Sequence, residues 1–203
     1  MAASISEENL SIAILCGGAS RRFSGNKAFF ELSPGQPLIK TLFDRFSDFG
    51  REITVISKEI YREELLGIGV PCEFEPEAEF AALYGLQSAL NWAKEEWVGI
   101  VAVDMPLLCP EFFQFLVDHY EEGNRLILPY TDRLHPLAGI YHRTCLESMG
   151  SRIQNGMFRL QDFITEAGLQ KVKPPQNLLA QLQNMNTLQD LEKIQTLGLL
   201  SSS

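Results

Sequence analysis

The sequence predicts an α/β fold, a three-layer α/β/α sandwich around a mostly parallel sheet, and three features carry that prediction. Short apolar runs rich in β-branched residues recur along the chain. Those runs are continuous rather than alternating, which marks strands covered on both faces. Between them lie stretches whose apolar residues fall at helical spacing, so strand and helix alternate as they do in a layered sandwich.

Taken in order, "SIAILC" (11–16) is the first strand, and a glycine pair ends it. Residues 38–49 form the first helix, with Leu38, Leu42, Phe46 and Phe49 on one face. "EITVIS" (52–57) is the next strand, followed by helical patterns over 58–66 and 83–94. "WVGIVAV" (97–103) is a buried central strand, 110–121 a helix and "RLILPY" (125–130) a further strand. "LHPLAGIY" (134–141) reads as one strand, with helices near 145–149 and 158–167 after it. "LQKV" gives a short strand before a proline-broken loop. "MNTLQDLEKIQTLG" (185–198) closes the chain as a helix, with Asn186 or Thr187 as its N-cap and Gly198 as its stop. The final "SSS" is a frayed end.

At 203 residues the chain fits one domain and can bury a full core. A hydrophobic share of 45% with 21% charged residues is ordinary for a globular protein. A formal charge of -9 argues against a nucleic-acid surface, which needs a basic face. No apolar run reaches bilayer length, and "MAASISEENL" lacks the pattern of a signal peptide, so the expected location is the cytoplasm. Cys16, Cys72, Cys109 and Cys145 form no C-x-x-C pair and read as reduced, mostly buried thiols. His119, His135 and His142 show no metal spacing.

In a parallel sheet, ligands bind beyond the carboxyl ends of the strands, so the residues that follow the apolar runs are the ones to read for chemistry. Gly17 and Gly18 let the backbone turn and approach a ligand, leaving N–H groups to face anionic oxygens. Arg21, Arg22 and Lys27 then place three cations on what reads as an exposed loop of an acidic protein. Together these point to a phosphate. The spacing fits neither a Walker loop nor a dinucleotide fingerprint. Asp104 leaves the central strand in "VDMPLL", where Met105 and Pro106 turn the chain sharply. A carboxylate there suits Mg²⁺, a hard ion that prefers oxygen, although a single aspartate also commonly caps a turn. In "NMNT", Asn184 and Asn186 can cap a helix, coordinate a metal or meet a ligand's amide edges.

"LCGGASRRFSGNK", "VDMPLL" and "NMNTLQDL", in this order, resemble the molybdenum cofactor guanylyltransferase family. Its members carry L-A-G-G-x-S-x-R-M-G-x-D-K, then C-D-M-P, then N-I-N-T-P-E-D-L, and "HPLAGIY" is similar to a family strand. The resemblance covers most of the chain. It implies a Rossmann-like nucleotidyltransferase fold as one domain over 1–203, with a nucleotide-binding half at about 11–130 and an acceptor half at about 131–198. It implies transfer of GMP from GTP, with Mg²⁺, to the phosphate of molybdopterin or the molybdenum cofactor, releasing pyrophosphate. It also implies transient contact with other cofactor-biosynthesis or acceptor proteins. Carried over by position, Leu15, Gly17 and Gly18 line the nucleotide, Arg22 and Lys27 hold the triphosphate, Asp104 binds Mg²⁺, and Asn184 and Asn186 lie near the acceptor or the metal.

The chain departs from the pattern at Cys16, Phe23, Ser24 and Asn26. The family's G-P-L-A-G stretch survives only at Leu83 and Gly85. Guanine offers N–H donors, so an acidic partner is expected near that stretch. Glu75 and Glu77 are candidates, the alternative being a solvated acidic loop. Two rivals stay open. One is a CTP- or UTP-using relative acting on another phosphorylated acceptor; the other is a non-catalytic nucleotide-binding adaptor of the same fold.

Overall fold

The computed structural model of the protein describes residues 5–17, 26–76, 80–187 and 189–190. Its centre is a seven-stranded sheet of order β5-β4-β1-β6-β8-β7-β9. These strands are β1 (Leu10–Leu15), β4 (Glu52–Lys58), β5 (Cys72–Glu75), β6 (Trp97–Ala102), β7 (Leu126–Pro129), β8 (Ile140–His142) and β9 (Leu169–Val172). A separate two-stranded ribbon pairs β2 (Glu31–Ser33) with β3 (Gln36–Pro37). β1 pairs in parallel with both β4 and β6, while β8 runs antiparallel to β6 and β7. The sheet is therefore mostly parallel, with one reversed strand.

Helices cover both faces: α1 (Leu38–Phe46), α2 (Arg62–Ile68), α3 (Ala82–Trp92), α4 (Pro110–Asp118), α5 (Cys145–Gln154) and α6 (Leu160–Glu166). Two buried clusters show why the apolar strand runs do not alternate. Ile12, Ile14 and Trp97 face Leu42, Phe46 and Phe113, whereas Ala13, Val98 and Ile100 face Leu86, Leu90 and Met149. Both sides of each central strand are thus removed from water, which is the driving force for layering.

Several expectations need correction. "LHPLAGIY" is not one strand: Pro136–Ala138 is a 3-10 turn, and only β8 follows it. Pro136 has no N–H for a ladder and its fixed φ suits the start of a helical turn. Lys58 ends β4 rather than starting a helix, and Glu59–Tyr61 forms a 3-10 turn before α2. β5 is an edge strand whose acidic residues make "CEFE" look like a loop in sequence; Glu73 faces solvent, as charge on an edge does, but Glu75 is buried. Most of the closing segment 185–198, with Gly198, lies outside the described residues. At its start, Thr187 and Asp190 exchange backbone-to-side-chain hydrogen bonds, so Thr187 is the cap and Asn186 is released for another role. No helix among the described residues is long and apolar enough to cross a membrane.

Candidate functional site

The chain leaves β1 toward β4 and β5 on one side and returns as β6 on the other. The crevice beyond the carboxyl ends of β1 and β6 is therefore a topological switch point. The Val103 N–H donates to the Leu15 carbonyl at 3.1 Å, which keeps the two strand ends side by side. A cavity of about 260 Å³ opens there, lined by Leu15, Gly17, Lys27, Glu75, Gly85 and Asp104, with Phe80, Ala102, Val103 and Leu137 among its other walls. Six side chains or backbones singled out from scattered stretches of sequence thus meet in one place.

On one side of the cavity a polar cluster ties three distant segments together. The Lys27 ammonium donates to the Met185 carbonyl at 3.1 Å and to Asn186 Oδ1 at 3.0 Å. It lies 3.7 Å from Asp104 Oδ2. Asn184 Nδ2 donates to the same carboxylate oxygen at 3.1 Å, and the Met185 N–H donates to the Asp104 carbonyl at 2.6 Å. Asn184 Oδ1 is buried with no hydrogen-bond partner among the described residues. An orphaned amide oxygen beside a carboxylate is costly unless a ligand completes it. Lys27 is not on an open loop as its sequence context suggests, since its side chain is only 11% exposed.

Two further residues hold this cluster in place. Asn26 caps the 3-10 turn Lys27–Phe29 by accepting from the Ala28 N–H, and its amide also donates to the Cys16 carbonyl at 3.4 Å. An aspartate at that position could accept but could not donate, so the asparagine fastens both ends of the glycine-rich segment. Arg45 donates to the carbonyls of Pro106 and Leu108 at 2.5 and 2.9 Å, which fixes the turn that aims Asp104. Nothing in the amphipathic pattern of α1 singles Arg45 out.

On the other side, Glu75 and Lys58 form an ion pair at 2.5 Å, with each side chain 4% exposed. A Cβ added at Gly17 would stand 2.7 Å from Glu75 Oε1, and one at Gly85 would stand 3.2 Å from it. The carboxylate passes closest to Gly17, where a side chain must displace it, whereas at Gly85 a methyl group needs only a few tenths of an ångström of movement. Gly17→Ala must push a paired, buried side chain aside, and overpacking of this kind costs about 1–3 kcal/mol. The expected result is a folded protein with a clearly lowered melting temperature, measured by thermal denaturation; an unchanged value would mean that Glu75 moves away without cost.

Among the described residues, no activated thiol or imidazole faces the cavity. Burial pushes the Cys16 thiol up to about 12, so it stays protonated at neutral pH. Among the described residues no histidine lines the cavity. Gly18, Arg21, Arg22 and Glu77 lie outside the described residues. Lys58 carries little signal in the sequence, since it stands where a helical pattern starts; its one mark is a lysine at the end of an apolar strand.

Residues 12–171 match the family described as the MobA-like NTP transferase domain. A relative from Aquifex aeolicus named "Probable molybdenum cofactor guanylyltransferase" is 30% identical over 181 residues, covering 89% of this chain and 88% of its own length. A relative of the same name from Pyrococcus horikoshii is 31% identical, covering 76% of this chain and 80% of its own. The crystal structure of molybdopterin-guanine dinucleotide biosynthesis protein A from Archaeoglobus fulgidus superposes with a TM-score of 0.79 at 20% identity, covering 93% and 98% of the two chains. That last likeness speaks to the fold.

Proposed function

The chain belongs to the MobA-like NTP transferase family, and from that premise we propose that it transfers GMP from GTP to the phosphate of molybdopterin, releasing pyrophosphate. The observation that carries this reading is the convergence of Lys27, Asp104, Asn184 and Asn186 at the mouth of the β1–β6 crevice. A binding module would need the cavity but not a carboxylate, an amide oxygen and an ammonium gathered against it.

The reaction is an in-line attack by an acceptor phosphate oxygen on the α-phosphorus, and the pyrophosphate leaves. An ionised phosphate needs no general base, which agrees with a cavity lacking imidazole. Such transfers depend on positioning and charge neutralisation. Lys27, preoriented by Asn186 and the Met185 carbonyl, supplies positive charge to the phosphates. The glycine backbone at Gly17 admits the nucleotide closely, and Leu15 and Gly85 complete the apolar wall. Glu75 presents its Oε1 to the base, where guanine offers N1–H and N2–H donors.

The donor set suits Mg²⁺. Asp104 and the orphaned Asn184 oxygen are hard oxygen donors. Among the described residues no group of three or more His, Cys, Asp or Glu could hold a metal by itself. That matches an ion which takes few protein ligands and completes its shell with water and phosphate. When bound, Mg²⁺ supplies neutralisation of phosphate charge.

GTP with Mg²⁺ should raise the melting temperature, because any ligand of the native state stabilises it by mass action. Thermal denaturation with GTP, CTP and UTP, with and without a chelator, tests this. Equal shifts from all three nucleotides would remove the guanine assignment. Chelation should weaken the GTP effect and leave the ligand-free protein folded.

A further inference from the structure

We propose that Lys58 is a positioning residue that sets base choice, by holding the Glu75 carboxylate with Oε1 turned toward the cavity. The inference rests on the guanylyl-transfer reading and deepens it. Lys58 and Glu75 are register partners across the parallel β4–β5 pair, so the backbone itself sets them side by side. The ammonium engages Glu75 Oε2, whereas Oε1 passes against Gly17 and Gly85. Glu75 lines the cavity and Lys58 stands behind it. The ammonium also lies 5.6 and 5.7 Å from the ring centroids of Tyr84 and Phe80, so an aromatic wall shields the pair.

The chemistry follows from what a carboxylate can offer. Ionised, it has acceptors only, so it welcomes the N1–H and N2–H of guanine and repels the acceptor N1 of adenine. With the lysine charge removed, the buried carboxylate is freer to turn, or to take up a proton and become a donor as well. Either change would blur the choice of base. The lysine charge thus selects the nucleotide without touching it.

The test is steady-state pyrophosphate release with GTP, ITP and ATP, each with molybdopterin, for the wild type, Glu75→Gln, Lys58→Met and Lys58→Arg. Lys58→Met should raise the KM for GTP about tenfold, the order expected for losing a hydrogen bond to a charged group. Its kcat should stay within about threefold, because ground-state binding is what is lost. The GTP-over-ATP preference should fall at least about tenfold in Lys58→Met and in Glu75→Gln, and Lys58→Arg should restore most of it. If Lys58→Met does not fold, Lys58→Gln reads the same ratio, since it keeps an N–H donor and loses the charge. A Lys58 variant with wild-type preference, beside a Glu75→Gln that has lost it, overturns the role of Lys58 and leaves guanylyl transfer standing. An unchanged Glu75→Gln overturns the inference through Glu75. A wild type that releases no pyrophosphate from GTP overturns the functional reading, and this inference with it.

Discussion

Asp104→Asn leaves a folded protein whose GMP transfer falls below about one thousandth of the wild-type rate, a loss of several kcal/mol of transition-state stabilisation. The substitution keeps an oxygen acceptor for the Asn184 amide and the backbone link from Met185, so the local hydrogen bonding survives. What disappears is the negative charge that would hold Mg²⁺. The lost attraction to Lys27 at 3.7 Å is partly exposed, and such pairs contribute at most about 1 kcal/mol to stability. Rate and stability are therefore expected to separate, and thermal denaturation beside initial-rate kinetics checks that they do. Loss of activity accompanied by unfolding would assign Asp104 a structural role.

Lys27→Ala should lower kcat by about 3 kcal/mol, on the order of a hundredfold, with a smaller loss of GTP affinity. In the proposed reaction the charge acts most strongly as pyrophosphate departs. Unlike a cation on an open turn, Lys27 also links the Met185 carbonyl and Asn186 to the rest of the site. A stability loss of about 1 kcal/mol should accompany the kinetic one. Lys27→Arg is the informative companion: it keeps the charge but replaces a point cation with a planar fork, and the position is only 11% exposed. Full turnover in Lys27→Ala would make the residue a strut between segments rather than part of the chemistry.

Much of this was legible in the sequence because burial and strand ends leave strong marks. β1 and β6 are covered on both faces, so they read as unbroken apolar runs, and Gly17 and Asp104 follow them where a switch-point ligand must sit. Asn184 and Asn186 were visible as residues, but their partners were not, because the contacts to Asp104 and Lys27 join positions 80 and 159 residues apart. The Lys58–Glu75 pair was hidden for a different reason. Glu75, on an edge strand, imitates a solvated loop and Lys58 imitates the start of a helix, so only the fold shows that both side chains are inside. The β2–β3 ribbon is too short to leave a strand pattern, and its one mark in the sequence is the turn signal "SPGQ", with Gly35 at φ +76.

Pyrophosphate release by the full chain with Mg²⁺ tests the central claim most directly, with GTP, CTP or UTP, each in the presence and absence of molybdopterin. The expected result is release that requires GTP and molybdopterin together and that Asp104→Asn abolishes. Release that proceeds as well with CTP or UTP, or that does not depend on molybdopterin, would contradict guanylyl transfer as the function of this cavity.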